Sequence, residues 1–289
     1  MKIIILLLST LSVYTAISQT PEISAIKKHL KTSKDDTNKV INYLQFSKML
    51  YNTSAYVESL ENANYAKTLS EKLGYKSGVA SSLYCISIVY LYQGKYPESI
   101  KIQNETIKIR EELGEKRNIA ASYVILSQIN GLQKNYQESI KNNQIALKIL
   151  EELSDKQGVA ACYGNIGEAY YRLNNYTEAL KNHFDAIKRY EEIGYKKGIG
   201  STYNNIGNVY RSQRFYEDAL KYHLSSLKIR EEIGDKWDIA ASHANIGKLY
   251  RELDKTKDSK KHFKKALDIA KDIGAVDLEK RIEKMIEEK

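Results

Sequence analysis

Tyr-Gly-Asn-Ile-Gly-Glu-Ala-Tyr at residues 163–170, followed by Asn-Tyr-Thr-Glu-Ala-Leu at residues 175–180, is the stretch of sequence that decides the fold. Its first part has apolar and small residues at i, i+3, i+4 and i+7, the spacing of one helix face: Tyr163, Ile166, Gly167 and Tyr170. After a break at residues 174–175, a second face has the same character: Ala179, His183, Ala186 and Ile187. The stretch therefore predicts a helical hairpin.

The hairpin recurs with a period of forty residues from about Lys39 to Gly274, without gaps. A tyrosine slot recurs in five of six copies and is threonine in the last: Tyr56, Tyr96, Tyr136, Tyr176, Tyr216 and Thr256. One slot holds only small residues: Ser47, Ser87, Ser127, Gly167, Gly207 and Gly247. A second small slot follows: Ala66, Thr106, Ala146, Ala186, Ser226 and Ala266. Small side chains are needed where two helices cross closely, so both slots predict helix crossings.

Each copy ends on a residue suited to a left-handed turn after a helix: Gly74, Gly114, Ser154, Gly194, Gly234 and Gly274. Pro97 lies where a second helix begins, a position at which the missing N–H is tolerated. These residues thus predict where helices of the hairpins end and begin.

The string at residues 163–170 and its continuation at 175–180 resemble the tetratricopeptide repeat, with aromatic, aliphatic and small slots in the first helix and alanine in the second. The forty-residue spacing and the ending Glu-Glu-Ile-Gly-Asp-Lys at 231–236 are similar to the longer repeats of Pins/LGN-type adaptors and to extracytoplasmic regions of bacterial sensor proteins. The resemblance implies an all-α fold, a right-handed superhelical solenoid of six hairpins with terminal caps. It implies a binding scaffold and names no ligand.

Four segments are expected: a signal peptide at 1–18, an N-terminal segment or cap at 19–38, six repeats at 39–274, and a capping helix at 275–289. The signal peptide is indicated by Lys2, an apolar run, and the small residues Ala16 and Ser18. We expect cleavage near Ser18-Gln19 and a secreted or periplasmic protein without a membrane span. The alternative is an uncleaved anchor, although the run is shorter than a comfortable span.

Composition limits the classes of partner. The formal charge is +9, but lysine and glutamate alternate and no block of five like charges occurs, which does not favour nucleic acid. The two cysteines, Cys85 and Cys162, offer no metal-ligand spacing. They lie two copies apart, so we expect two unpaired thiols. No metal and no cofactor is expected.

No motif for catalysis appears. The segment Gly194–Thr202 has its glycines misplaced for a phosphate-binding loop. Carboxylate pairs such as Glu191-Glu192 recur in several copies near lysines, which is typical of a solvated helix face. His183 and His223 share a slot with Phe263, which favours a packing role over metal binding. The sequence therefore predicts that the protein is not an enzyme.

The resemblance implies that first helices line a concave binding face. Its predicted residues are apolar and aromatic in the second and third copies: Tyr84, Ile88, Leu91, Tyr92, Val124, Ile125 and Leu132. They become polar in the fourth to sixth copies: Asn165, Tyr171, Arg172, Asn204, Asn205, Asn208, Arg211, Asn245, Lys248 and Arg251. Asparagines can pair with a peptide backbone and arginines with carboxylates. We therefore expect a protein or peptide partner with an acidic segment.

Two alternatives stay open at this point. The asparagines could instead bond between neighbouring helices, which would give them a structural role. The whole chain could be a ligand-sensing input module that acts on a membrane signalling partner, rather than an adaptor.

Overall fold

The computed structural model describes residues 21–287, and the predicted signal peptide at 1–18 lies outside them. The described chain is all-helical, with fourteen α-helices and no strand. In order they are α1 (Pro21–Thr32), α2 (Thr37–Asn52), α3 (Tyr56–Lys72), α4 (Lys76–Tyr92), α5 (Tyr96–Glu112), α6 (Lys116–Leu132), α7 (Tyr136–Glu152), α8 (Lys156–Arg172), α9 (Tyr176–Glu192), α10 (Lys196–Ser212), α11 (Tyr216–Ile233), α12 (Lys236–Glu252), α13 (Thr256–Asp272) and α14 (Val276–Glu287). Among these helices, none is both long and apolar enough to cross a membrane.

The described residues divide into two compact units, with the boundary between Ile129 and Asn130. Within the first unit each helix from α1 to α5 packs against the next, and α2 also contacts α4. Within the second unit each helix from α7 to α14 packs against the next, while α8 contacts α10 and α12 contacts α14. Both units therefore show the consecutive hairpin packing of a tetratricopeptide-type array.

The forty-residue period is visible in the helix boundaries. From α4 onward each first helix begins on a lysine, forty residues after the start of the preceding first helix: Lys76, Lys116, Lys156, Lys196 and Lys236. The predicted left-handed turns are confirmed, since Gly194 has φ +63° and Gly274 has φ +65°. Ser154, which replaces the glycine in one copy, adopts the same conformation with φ 55°. Glycine is common here because this region strains other residues.

Both predicted small slots lie at helix crossings. The slot that contains Ala186 is fully buried in every copy, and the Ser226 hydroxyl donates a 2.7 Å hydrogen bond to the Gly200 carbonyl of the facing helix. At the other slot, a Cβ added to Gly167 would lie 2.7 Å from Nδ1 of His183. Side chains larger than those present would hold the helices apart, so the small residues set the interhelical distance.

Recurring carboxylates form ion pairs between the two helices of the fourth, fifth and sixth hairpins. Glu232 pairs with Lys196 at 2.8 Å and Glu192 with Lys156 at 3.3 Å, so each carboxylate at the end of a second helix meets the lysine that begins the first helix. Asp272 pairs with Lys236 in the same way at 2.7 Å. These pairs are exposed to solvent, so each contributes little to stability.

Candidate functional site

A cleft of about 620 Å³ lies between α8 and α10 in the second unit. Its lining includes six residues of the predicted binding face: Asn165, Tyr171, Arg172, Asn205, Asn208 and Arg211. Both helices are first helices, in the fourth and fifth copies, and they contact each other directly. The structure thus brings the central part of the predicted face together in one concave site of ligand-binding size.

The α10 wall carries a line of polar groups. Ser201, Asn205 and Asn208 all line the cleft and follow at i, i+4 and i+7 on one helix face. In the described part of the chain, none of the three side chains has a hydrogen-bond partner. A free carboxamide can donate and accept at once, so this wall is available for a ligand with both kinds of group.

The α8 wall leaves room for such a ligand because its central residues are small. Ala161 and Gly164 line the cleft, and a Cβ added to Gly164 would meet no atom within 4 Å. Helix packing therefore does not require a glycine at position 164. It does require one at Gly167, three residues further along the same helix. The open space lies opposite the polar wall.

One end of the cleft is aromatic. Tyr190, at the end of α9, and Tyr195, in the following turn, have ring centroids 5.4 Å apart. They close over Gly198, where an added Cβ would lie 2.7 to 2.8 Å from ring atoms. Burial raises the pKa of Tyr190, so its hydroxyl is protonated at neutral pH. This end offers aromatic surface together with the protonated Tyr190 hydroxyl.

The other end is charged but internally neutralised. Arg172 donates a 2.7 Å hydrogen bond to Glu168, and this contact raises the pKa of the arginine. Arg211 donates to Glu252 at 3.0 Å. Lys197, at the aromatic end, pairs with Asp235 at 3.3 Å. Each cation that lines the cleft therefore already has a carboxylate partner.

Several predicted residues hold the helices together. Asn245 donates a 3.0 Å hydrogen bond to Asn204, and Asn165 contacts Asn143 at 3.4 Å. Arg251 donates a 2.7 Å hydrogen bond to the Met285 carbonyl and thereby anchors α14. For Asn204 and Asn245 the structural alternative fits best. Lys248 lies half-buried on the same helix as Asn245 and also has a partner.

The predicted apolar face in the first unit is only partly exposed. Ile88 is 7% exposed and Leu91 is 4% exposed, because α4 is covered by α2, α3 and α5. The expectation that these two side chains face a partner is therefore corrected. Tyr84 is half-buried with the Arg110 guanidinium 4.8 Å from its ring, whereas Tyr92 is half-exposed and stacks on Tyr56.

Sequence reasoning missed the aromatic end and Ser201. Tyr190 belongs to a second helix and Tyr195 to a turn, whereas the predicted binding face consists of first-helix residues. Ser201 follows Ala161 by forty residues, so this column could have been found by its period. Helix contacts such as that of Arg211 with Glu252 carry no local signal in the sequence.

The arrangement offers little for catalysis. Among residues 21–287 no group of three or more His, Cys, Asp or Glu side chains could hold a metal ion. Both cysteines are free, and burial raises the pKa of the Cys85 thiol to about 11 and that of Cys162 to about 12. Protonated thiols are poor nucleophiles at neutral pH.

Comparison with known proteins identifies the fold. A family model described as tetratricopeptide repeat matches residues 78–142, 118–192 and 198–272, more than half of the chain. No curated protein matches the sequence significantly.

Several solved structures have a similar fold. The chain resembles aspartyl phosphate phosphatase F from Bacillus subtilis with 18% identity and a TM-score of 0.72, over 95% of this chain and 74% of that one. A signal transduction ATPase with a tetratricopeptide repeat sensor, from Pyrococcus horikoshii, has 16% identity and a TM-score of 0.71; the match spans 90% of this chain and 41% of the ATPase. A Rap protein complexed with competence and sporulation factor has 13% identity and a TM-score of 0.64, over 92% and 80%. Such identities establish likeness of fold alone.

Proposed function

Since the chain belongs to the tetratricopeptide repeat family, we propose that it is a non-enzymatic scaffold that binds an extended protein segment or peptide in the cleft between α8 and α10. The observation that carries this proposal is the line of unpartnered polar groups at Ser201, Asn205 and Asn208. Groups at these positions match the alternating donors and acceptors of a peptide backbone.

The dimensions support an extended ligand. From Ser201 to Asn208 the helix rises by about 10 Å, since each residue contributes about 1.5 Å. An extended chain covers that distance with about three residues. Asn205 and Asn208 together can pair with two peptide groups of one extended ligand. The open space at Gly164 on the α8 wall leaves room for that ligand. A ligand backbone along α10 would satisfy the whole polar wall.

The ends of the cleft shape the preference for side chains. The Tyr190 and Tyr195 rings would receive an apolar or aromatic side chain. An acidic side chain could reach Arg172 or Arg211 only by exchanging with Glu168 or Glu252. We therefore propose that backbone pairing dominates and that an acidic portion of the ligand adds little affinity in this cleft.

A double substitution tests the site. A peptide selected from a displayed heptamer library against the full chain serves as the probe, and its affinity is measured by fluorescence anisotropy. Asn205→Ala with Asn208→Ala should weaken binding by about 10- to 100-fold, because two hydrogen-bonding amides of about 1 kcal/mol each are lost. The unfolding midpoint should barely change, since neither amide bonds within the protein.

The matched control is Asn204→Ala on the same helix, which removes the bond to Asn245. It should lower the unfolding midpoint and leave the affinity within about twofold. Equal affinity of the double variant and the wild type would overturn the proposed site.

We also propose that the protein is exported and that residues 1–18 are removed, as the apolar run after Lys2 suggests. N-terminal sequencing of the protein from its producing cell checks this, and a start near Gln19 is expected. Intact Met1 in a membrane fraction would favour the anchored alternative.

A sensing role is the second candidate. It is favoured by the likeness to a signal transduction ATPase whose tetratricopeptide repeats form a sensor. In that case, the selected peptide should alter binding of the chain to a membrane signalling partner, whereas an adaptor would bind both independently.

A further inference from the structure

Helix α13 differs from the other second helices in its charge. Its seventeen residues contain six lysines and three aspartates. Five of these lysines fall within nine residues, and all five are exposed: Lys257, Lys260, Lys261, Lys264 and Lys265. In the described part of the chain none of the five has an ion pair, whereas Lys271 on the same helix pairs with Glu279. We call these five residues the lysine face.

The lysine face is unfavourable for the helix that carries it. Five lysine pairs are three or four residues apart, so like charges are neighbours on one side of α13. The stripe ends one turn later at Asp268. A terminal repeat does need a polar outer surface, but mixed charges would supply it, as they do in α14. Within residues 257–265 five exposed lysines accompany one exposed carboxylate, Asp258, so this face has a large excess of positive charge that solubility alone does not require.

Comparison with other copies shows that lysine stands at one position that is apolar in all the other copies and at a second position that is apolar in two of them. Lys260 occupies the slot of Ile140 and Leu220, which are buried in their own copies. Lys264 occupies a slot that holds exposed apolar residues in the fourth and fifth copies, Phe184 and Leu224, and polar residues in the first three. In the sixth copy the outer side of the second helix is therefore entirely polar, and no large apolar side chain of α13 is exposed.

We propose that the lysine face binds the surface of an anionic lipid bilayer, a function separate from peptide binding in the cleft. Several lysines on one exposed helix are suited to a negatively charged membrane, because each attracts anionic headgroups without a specific geometry. The apolar side of α13 is buried through Phe263, Ala266 and Ala270, so the helix adsorbs without inserting.

Other anionic partners fit less well. Specific protein interfaces are poor in lysine and depend on apolar and aromatic anchors, which this face lacks. Sequence-specific duplex binding places side chains such as arginine, lysine, asparagine and glutamine on base edges in a groove, and single strands stack on aromatic rings. The face has no aromatic ring and no asparagine, glutamine or arginine beside its lysines. A flat set of hydrated point charges matches a diffuse charged surface.

Vesicle co-sedimentation tests the proposal with the full chain. At 0.1 M salt the protein should bind vesicles of 70% phosphatidylcholine and 30% phosphatidylserine and bind pure phosphatidylcholine vesicles much more weakly. Replacement of three lysines, Lys260→Gln, Lys264→Gln and Lys265→Gln, should reduce the partition coefficient on anionic vesicles by about 100-fold. Salt at 0.5 M should release the wild type, because the attraction is screened.

The control variant carries Lys156→Gln, Lys196→Gln and Lys236→Gln. It changes the net charge equally but removes lysines that already have carboxylate partners. Its binding should fall much less than that of the lysine-face variant. The apolar N-terminal residues are the same in all variants, so differences between variants report on the lysines alone.

Three results would overturn the proposal. These are equal binding to neutral and anionic vesicles, an equal loss in both triple variants, and binding of a 20-base-pair DNA duplex as tight as binding of anionic vesicles at the same salt concentration. Far-ultraviolet circular dichroism confirms that both variants are folded. Peptide affinity in the cleft should be unchanged in both, so this test is independent of the proposed function.

Discussion

The helix crossings of the first two hairpins and those of the last three are built differently at the same slots. In the second hairpin the first helix contributes Ser87, whose hydroxyl accepts a 2.6 Å hydrogen bond from the Gln103 amide of the second helix. In the fifth hairpin the same two slots hold Gly207 and His223, and the imidazole ring lies directly against the glycine. Serine thus accompanies a polar partner, and glycine accompanies a ring.

The sixth hairpin repeats the pairing of glycine with a ring, whereas in the first hairpin the serine bonds to a residue outside the facing slot. In the first hairpin, the Ser47 hydroxyl donates a 2.9 Å hydrogen bond to the Ser59 carbonyl. Ala63 occupies the slot that holds His223 in the fifth hairpin, which we call the ring slot. In the sixth, Phe263 lies where an added Cβ of Gly247 would come within 3.1 to 3.2 Å of its ring. A planar ring needs a surface without a Cβ, whereas a hydroxyl needs a hydrogen-bonding partner. The same helix crossing is therefore stabilised in one region by a serine hydrogen bond and in the other by a ring packed on glycine.

The largest expected effect concerns pH and the two histidine crossings. Burial lowers the pKa of His183 and of His223 to about 4, and neither ring nitrogen has a hydrogen-bond partner in the described chain. The unfolded chain, with a pKa near 6.5, binds protons that the folded state does not. Stability is therefore highest above about pH 6.5 and falls as the pH drops toward 4. From pH 7 to pH 5 the expected loss is about 2 kcal/mol for each histidine.

Urea denaturation at pH 7 and pH 5 measures this difference. His183→Phe with His223→Phe copies the pairing of Phe263 with Gly247 and should reduce the loss by about 4 kcal/mol. His243, whose pKa is also lowered to about 4 by burial, remains in both proteins and contributes equally. If the double variant loses as much stability as the wild type over this range, the histidine crossings do not control acid sensitivity.

These slots show how much of the hairpin packing could be predicted from the sequence. The small column could be found because its members share a size, and helical spacing predicted the hairpins. The facing column holds Ala63, Gln103, Asn143, His183, His223 and Phe263, which share no chemical class. The change from serine to glycine in the fourth copy coincides with the change to a ring, but this correspondence has meaning only once the two columns are known to touch.

For the cleft, the sequence predicted the exposed faces of helices but not their contacts. Asn205 and Asn208 line the site as predicted positions on a first helix. Arg211 could not be separated from them, because its partner Glu252 lies forty-one residues away. Burial of Ile88 likewise depends on neighbouring helices. Periodicity places a side chain on a face, whereas packing decides whether that face is open.

A second, smaller effect is expected where a methyl group is added to a glycine that faces a ring. In Gly207→Ala the new Cβ would lie 2.9 Å from three atoms of the His223 ring. Overpacking should destabilise the protein by about 1–3 kcal/mol, even though alanine favours the helix by about 1 kcal/mol. Thermal and urea unfolding measure the change.

Gly164→Ala is the matched control, because its added Cβ would meet no atom within 4 Å. It should leave stability unchanged or raise it by up to about 1 kcal/mol. The double variant Gly207→Ala, His223→Ala imitates the first hairpin, which has alanine in the ring slot, and should relieve the clash. Similar effects of both single alanine substitutions would contradict the ring-on-glycine explanation.

The smallest effect is expected at the polar crossing of the second hairpin. Ser87→Ala removes the acceptor of the Gln103 Nε2 group, and Oε1 of the same buried amide already lacks a partner in the described chain. An unpaired buried amide group costs about 1–3 kcal/mol, but the long glutamine side chain can relax, so a loss of about 1 kcal/mol is expected in urea unfolding. Replacing both partners, Ser87→Ala with Gln103→Leu, should restore most of that loss, because no polar group is then left unpaired. A double variant as unstable as the single one would show that the serine acts through its other contact, the 2.7 Å hydrogen bond it donates to the Tyr84 carbonyl.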